Sequence, residues 1–300
     1  MKIGFIGTGT MGRPMLANLV KKGFAVTAYD VVPAAIDAAA AEGAARAATP
    51  AEAAAAGDLV ITMLPSSSHV EAAYLGPKGI GEGIARGGLA VDMSTIDPGV
   101  SQAVAQALAE RGVRFLDAPV SGAVGRAVAG TLTIMVGGAP QDLAEARPAL
   151  AAMGSTIVHV GAVGAGEVAK LCNNLISGSA MAAVSEAFRI GVAFGVDPKV
   201  LTEVISKSSG ATWVMEYGHP VPGINPEAAS SRDYAPGFMT DLMAKDLGLA
   251  IAAARAKRVP VAVAAAAQLL YRLASAHGLG RKDFSSVYQL LQPSNEDAPV

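Results

Sequence analysis

The stretch Lys2-Ile3-Gly4-Phe5-Ile6-Gly7-Thr8-Gly9-Thr10-Met11-Gly12 decides how the rest of this sequence is read. Lys2–Ile6 has the short apolar run of a buried strand, and Met11–Lys22 carries apolar residues at helical spacing. Glycines at 7, 9 and 12 join the two without a loop. The first permits a tight turn, the second lets backbone approach a ligand, and the third lets helix pack on strand. The helix start then presents free N–H groups and partial positive charge, a ready site for phosphate. The arrangement implies a bound dinucleotide, with a plain strand–turn–helix corner as the alternative.

The second strand, Ala25–Tyr29, ends at Asp30. An acidic side chain there accepts hydrogen bonds from both hydroxyls of an adenosine ribose and repels a 2′-phosphate. No Arg or Lys follows at positions 31 to 35. NAD is therefore expected over NADP, and an ordinary turn aspartate is the alternative reading of Asp30.

Working outward, the segments Leu59–Met63, Leu89–Met93, Arg114–Leu116, Thr133–Val136 and Thr156–His159 continue the strand series. Alanine-rich helical segments lie between them, at Pro33–Ala41, Pro50–Ala56 and Val100–Arg111. Strands alternating with helices predict a doubly wound, largely parallel sheet, a Rossmann-type domain over residues 1–163. Beyond it the pattern is helical only. Glu167–Phe194 reads as one long helix with apolar residues on more than one side, which predicts burial by a partner helix or a second subunit. Pro198–Lys207, Met239–Ala256, Val261–His277 and Phe284–Gln292 follow, so residues 164–300 are expected to form an all-helical domain. The Gly- and Pro-rich connection Ser208–Gly237 is long enough to predict a functional or interface role.

Bulk properties narrow the class. Hydrophobic residues at 52% against 16% charged allow a sizeable core, which argues against global disorder. A formal charge of −2 gives no electrostatic reason to expect nucleic acid or a membrane surface. The single Cys172 excludes an internal disulfide framework and fits a reducing, cytoplasmic setting. It lies two residues from Lys170, on another helix face, and reads as a packed core thiol. No targeting segment is read at the N-terminus, and Glu186 and Arg189 interrupt Ile176–Val196, the richest candidate for a membrane span. His69, His159, His219 and His277 are far apart and lack metal-ligand spacing, so no metal is expected. Apart from His69 they read as surface or capping residues.

Two further segments invite chemistry. Asp117-Ala118-Pro119-Val120-Ser121-Gly122 follows a strand and ends in small residues that expose backbone N–H groups. Gly166-Glu167-Val168-Ala169-Lys170-Leu171-Cys172-Asn173-Asn174 opens the long helix, with Lys170 and Asn174 four apart and on one face. From spacing alone a snorkelling lysine and a functional one stand equal.

With the glycine turn, Asp117–Gly122, Gly130-Thr131-Leu132-Thr133-Ile134-Met135-Val136-Gly137-Gly138 and Lys170 with Asn174, the chain resembles the β-hydroxyacid dehydrogenase family from its first strand to about Gln292. Three C-terminal segments sharpen that resemblance: Pro220–Gly223, Leu242-Met243-Ala244-Lys245-Asp246-Leu247-Gly248-Leu249-Ala250 and Lys282-Asp283-Phe284-Ser285-Ser286-Val287. The resemblance implies reversible oxidation of a hydroxy acid, with the active site between the two domains. It implies Lys170 as catalytic lysine with Asn174 beside it, and Ser121, Gly122 and Ala123 as the loop holding the substrate carboxylate. Gly7, Gly9, Thr10, Met11, Gly12 and Asp30 are joined as cofactor residues by Leu64, Pro65, His69, Ser94, Thr95 and Lys245. Ala123 stands where the family commonly has a second glycine, and Arg126 where a small residue is usual. His69 stands where relatives often carry an Asn.

The chemistry follows from the alcohol. Its proton must leave as hydride leaves carbon, and a lysine held neutral by burial can take it. The reaction that the resemblance implies first is NAD-dependent oxidation of 3-hydroxyisobutyrate to methylmalonate semialdehyde, in valine breakdown. Reduction of tartronate or succinate semialdehyde is the rival within the family, and a non-catalytic dinucleotide sensor the rival outside it. A homodimer or homotetramer is expected from the long apolar helix.

Overall fold

The computed structural model describes residues 1–292. Nine strands form one sheet: β1 (Lys2–Ile6), β2 (Ala25–Tyr29), β3 (Ala45–Arg46), β4 (Leu59–Thr62), β5 (Leu89–Asp92), β6 (Arg114–Asp117), β7 (Val120–Ser121), β8 (Leu132–Gly137) and β9 (Gly154–Gly161). Helices α1 (Gly12–Lys21), α2 (Pro33–Ala41), α3 (Pro50–Ala55), α4 (Ser67–Leu75), α5 (Ile80–Gly83), α6 (Pro98–Glu110), α7 (Ala123–Ala129) and α8 (Pro140–Met153) connect them. The helical region holds α9 (Ala165–Ala193), α10 (Pro198–Ser206), α11 (Trp213–Tyr217), α12 (Thr240–Ala256), α13 (Ala262–Ala274) and α14 (Val287–Leu290). Two compact units part at Lys170, inside α9.

In the N-terminal unit the order β3-β2-β1-β4-β5-β6 is parallel throughout. The chain reverses its direction of growth between β1 and β4, and ligands bind such sheets outside the strand C-termini at that switch point. The expectation of a largely parallel, doubly wound sheet holds up to β8, which pairs antiparallel with β6 and β7 and parallel with β9. Period-two packing explains helices on both faces. Ile3, Phe5, Leu59, Ile61, Leu89 and Val91 enter one core with Leu16 and Leu19 of α1. Ile6, Val60 and Ala90 enter the other, with Tyr74 of α4 and Val104 of α6. Helix starts are fixed locally: Thr49 Oγ1 accepts from Glu52 N at 3.1 Å, and Asp97 Oδ1 from Gly99 N at 2.7 Å. No side chain caps α1, where the glycine turn precedes the helix.

In the helical unit α9 sends Met181 and Phe188 into a core completed by Met243 and Leu247 of α12 and Tyr271 of α13. By length and composition α9 could cross a membrane. Its Arg189, however, donates to the Tyr288 carbonyl oxygen at 2.7 Å and lies 3.6 Å over the Tyr288 ring. Ile176, Ile190 and Phe194 remain exposed. The connection Ser208–Gly237 contains α11 and a 3₁₀ turn at Ala229–Arg232. The last predicted helix is shorter, a 3₁₀ turn at Phe284–Ser286 followed by α14.

Two expectations are corrected. Cys172 is exposed, because at 100° per residue the buried Leu171 and Asn174 take the inner face and turn residues 172 and 173 outward. His219 is buried completely instead of lying at the surface. Val221 N donates to its Nδ1 at 3.2 Å, so Nε2 carries the proton and donates to Thr202 Oγ1 at 3.1 Å. Phe188 packs edge-on against the ring. Burial holds His219 at about 4, below the usual imidazole value.

Candidate active site

The glycine turn lies after β1, beside the switch point. A Cβ at Gly12 would run into the carbonyl oxygen of Gly7, so helix and turn meet at the closest possible approach. At Gly9 a Cβ would meet nothing, which leaves open space where a phosphate can reach backbone. A cleft of about 360 Å³ opens there, lined by Thr8, Gly9, Thr10 and Arg13, with Ala35 and Ala38 of α2 across from them. Thr10 is exposed and Met11 half-buried. Asp30 Oδ2 accepts from Thr8 N at 2.7 Å, and its Oδ1 accepts from Val32 N at 2.9 Å. The carboxylate therefore clamps the turn to the end of β2 and keeps lone pairs for ribose hydroxyls. Open space at Gly9, the uncapped helix start and this carboxylate fit a dinucleotide.

Across the switch point, Leu64 and Ser94 are joined directly, Leu64 N donating to Ser94 Oγ at 2.8 Å. Ser94 Oγ donates to Asp92 Oδ1 at 2.5 Å, and Thr62 Oγ1 donates to the same oxygen at 2.6 Å. Tyr74 OH stands 3.0 Å from Thr62 Oγ1 and supplies its acceptor need. Asp92 is wholly buried, and burial pushes its carboxyl up to about 6 despite those bonds. The same burial, with Asp92 nearby, pushes the Tyr74 phenol well above its ordinary range. Pro65 is exposed and Thr95 half-buried on these two loops. His69 is exposed on α4, its Nδ1 2.7 Å from Ser66 Oγ, at the start of the helix that follows β4.

The loop after β7 is unusual in backbone shape. Gly122 has φ of +135° and Ala123 of +53°, so an alanine occupies the left-handed region that favours glycine. This is the physical content of the Ala123 departure. The Arg126 stem lies against Gly122, where any Cβ would collide with it. Ser121 is half-buried beside them.

Lys170, only 6% exposed, ends the N-terminal unit on α9. Asn174, 5% exposed, follows one turn later. In the helical unit Asn174 Nδ2 donates to Asp246 Oδ2 at 2.5 Å, and Lys245 Nζ lies 3.2 Å from Asp246 Oδ1. Thus the glycine turn, Asp30, Leu64, Pro65, Ser94 and Thr95 follow the C-terminal ends of β1, β2, β4 and β5, with His69 one helix turn beyond, while Ser121–Ala123 lie at the end of β7. Asn174 and Lys245 converge on Asp246 from two helices.

Four side chains were missed as site components: Asp92, Asp117, Glu167 and Asp246. Asp117 Oδ1 accepts from Gly164 N at 2.7 Å and Oδ2 from Glu167 N at 3.0 Å, capping α9. Burial raises its carboxyl above the usual range, opposed by those N–H groups. Glu167 Oε2 accepts from Ile96 N at 3.1 Å. Asp117, Glu167 and Asp246 stand in the segments Asp117–Gly122, Gly166–Asn174 and Leu242–Ala250 and meet partners distant in sequence, while Asp92 ends a strand that carries no motif.

Comparison with known proteins gives matches to both regions of the chain. Residues 2–161 match the NAD binding domain of 6-phosphogluconate dehydrogenase, and residues 164–291 match the NAD-binding region of NADP-dependent 3-hydroxyisobutyrate dehydrogenase. The mitochondrial 3-hydroxyisobutyrate dehydrogenase of Bos taurus is 44% identical over 97% of this chain and 86% of its own length. The NAD-dependent L-serine dehydrogenase of Pseudomonas aeruginosa is 46% identical, with 98% of each chain covered. The structure of Mycobacterium tuberculosis 3-hydroxyisobutyrate dehydrogenase with L-serine superposes with a TM-score of 0.93 at 39% identity, covering 97% of this chain and 99% of that one. With a two-sided sheet that carries the glycine turn, followed by a helical region matched along its length, the chain belongs to the 3-hydroxyisobutyrate dehydrogenase family.

Proposed function

We propose that this protein oxidises 3-hydroxyisobutyrate to methylmalonate semialdehyde with NAD, and that Lys170 is its general base. The observation that carries the reading is a lysine 6% exposed on α9, one turn from a buried asparagine, in a chain so similar to the bovine enzyme. The nicotinamide, when bound, accepts the hydride. Lys170 takes the hydroxyl proton as a neutral amine, and in reverse its ammonium returns that proton to the alkoxide. Asn174 holds the alcohol oxygen in register, itself oriented by Asp246. Ser121 and the N–H groups of Gly122 and Ala123 hold the substrate carboxylate. Gly7–Gly12 hold the pyrophosphate; Asp30 holds the adenosine ribose and excludes a 2′-phosphate. Leu64, Pro65, His69, Ser94, Thr95 and Lys245 line the remaining length of the cofactor.

L-serine is the second reading. It shares the carboxylate and primary alcohol of 3-hydroxyisobutyrate and replaces a methyl group by an ammonium. The serine dehydrogenase of Pseudomonas aeruginosa and the serine-bound structure favour it. Steady-state kinetics with 3-hydroxyisobutyrate, L-serine and glycerate (the alcohol form of tartronate semialdehyde), each with NAD and NADP, decide between them. A kcat/KM higher for serine than for 3-hydroxyisobutyrate sinks the first reading. Lys170→Ala is expected to lower kcat at least 1000-fold, in the range for loss of a general base plus charge, with NADH binding retained. Residual turnover near wild type would remove Lys170 from the mechanism. Exposed Ile176, Ile190 and Phe194 support a homodimer or homotetramer, which light scattering would test; the single Cys172 supports a reducing, cytoplasmic setting.

A further inference from the structure

Glu167 has no part in the chemistry as given above, yet it is 0% exposed, and carboxylates are almost never buried so completely without a cationic or hydrogen-bonded partner. It stands three residues before Lys170 on α9, a spacing that sets two helical side chains side by side, with Cβ atoms about 5–6 Å apart. Lys170 is buried as well. The far side of Glu167 is anchored: Oε2 accepts from Ile96 N, directly after the Ser94–Thr95 segment proposed above to line the cofactor. One carboxylate thus links the cofactor loop to the helix turn that carries the lysine.

We propose that Glu167 is a positioning residue that pairs with the Lys170 amine, holds it against the Ser94–Ile96 loop and sets the pH at which it can act as base. This rests on the reading of Lys170 as the general base. A carboxylate beside an ammonium favours the protonated form, so the pair trades base strength at low pH for a fixed geometry. Other ionisable groups around this turn are committed elsewhere. Asp117, at the end of β6, accepts from Gly164 N and Glu167 N; Asp92, at the end of β5, accepts from the Thr62 and Ser94 hydroxyls. One turn further along α9, Asn174 is bonded to Asp246, which lies beside Lys245.

Glu167→Gln keeps an acceptor for Ile96 N and removes only the charge. In the intact enzyme, the acid limb of the kcat/KM profile for alcohol oxidation is expected to move about one pH unit or more to lower pH. The alkaline limb of aldehyde reduction, which needs the ammonium, moves the same way, while KM for NAD changes less than threefold. Glu167→Asp retains the charge one methylene further back, and its limbs should fall between those of wild type and Glu167→Gln. It serves also if the glutamine variant does not fold. Limbs that stay in place, or turnover lost with no shift, overturn the proposal. If Lys170→Ala keeps its turnover, the base assignment fails instead, whatever the Glu167 variants do.

Discussion

The N-terminal unit and the helical unit bury polar side chains to different ends. In the first, Asp92 and Asp117 sit at the last positions of β5 and β6 and accept hydrogen bonds from backbone and hydroxyl groups of the loops that follow or face them. Their burial shapes loops. In the second, Tyr271 OH donates to Gly178 O, Asn174 to Asp246, and His219 to Thr202, each bond joining two separate elements of the helical unit. Their burial locks helices together. A parallel sheet delivers its strand ends to one edge, so polar groups there can reach a ligand. Helices have no such edge, and the same groups serve as crosslinks.

The contrast breaks most sharply at Gly12. Alanine there drives a methyl into the backbone carbonyl of Gly7, with the buried Phe5 ring as its next neighbour. Gly12→Ala is expected to weaken NADH binding more than 1000-fold, about 4 kcal/mol, the scale reserved for a named steric failure. Fluorescence titration measures it. The helical unit should keep its far-UV signature and its hydrogen-exchange protection. Tight NADH binding by the variant would mean that the turn is not where the cofactor sits.

Acid sharpens the comparison, because the two units respond with opposite sign. Burial holds His219 at about 4, against 6.5 for the free side chain. As pH falls from 6.5 toward 4 the unfolded chain gains a proton that the native chain refuses, and stability of about 3 kcal/mol is lost. Asp92 is raised from 3.8 to about 6. Over that window the native chain keeps a proton that the unfolded chain releases. Its contribution is present below about 4 and lost as pH rises through 6, again about 3 kcal/mol. Between pH 6.5 and 4.5 hydrogen exchange should therefore quicken first around α10 and Phe188, while β4 and β5 hold. Asp92→Asn should flatten the response of the sheet alone. Uniform loss of protection across both units would contradict the assignment of these groups.

What could be read from sequence follows the same division. Gly7–Gly12 and Asp30 were legible because the fold uses them contiguously, at the end of a strand and the start of a helix. The largely parallel, doubly wound sheet followed from alternation of strand and helix. Asp246 shows no role in sequence because its partner Asn174 lies 72 residues away. Glu167 and Ile96 are 71 apart, and no spacing rule spans that distance. Cys172 was misjudged because a helix apolar on several sides gives no clear inner face until its neighbours are in place. Ala123 could be seen to replace a glycine, but only the backbone revealed the left-handed φ that makes the replacement matter.

The smallest of these effects tests whether a crosslink in the helical unit can also serve the chemistry. Asp246→Ala removes the acceptor of Asn174 Nδ2 and the charge beside Lys245, leaving buried donors without their partner. If Asn174 orients the alcohol, a displacement of the amide costs rate before it costs binding. Falls of about 10- to 100-fold in kcat are expected, with KM for NAD changed only a few-fold. Asp246→Asn retains a carbonyl oxygen toward Asn174 and drops the charge, so it should recover most of kcat while leaving any effect of Lys245 on NAD affinity in place. The pair of variants separates orientation from charge. Were Asp246→Ala to unfold the helices with no active fraction remaining, and Asp246→Asn to turn over at the wild-type rate, the bond would belong to the framework alone. Polar burial in the helical unit would then be crosslinking and nothing more.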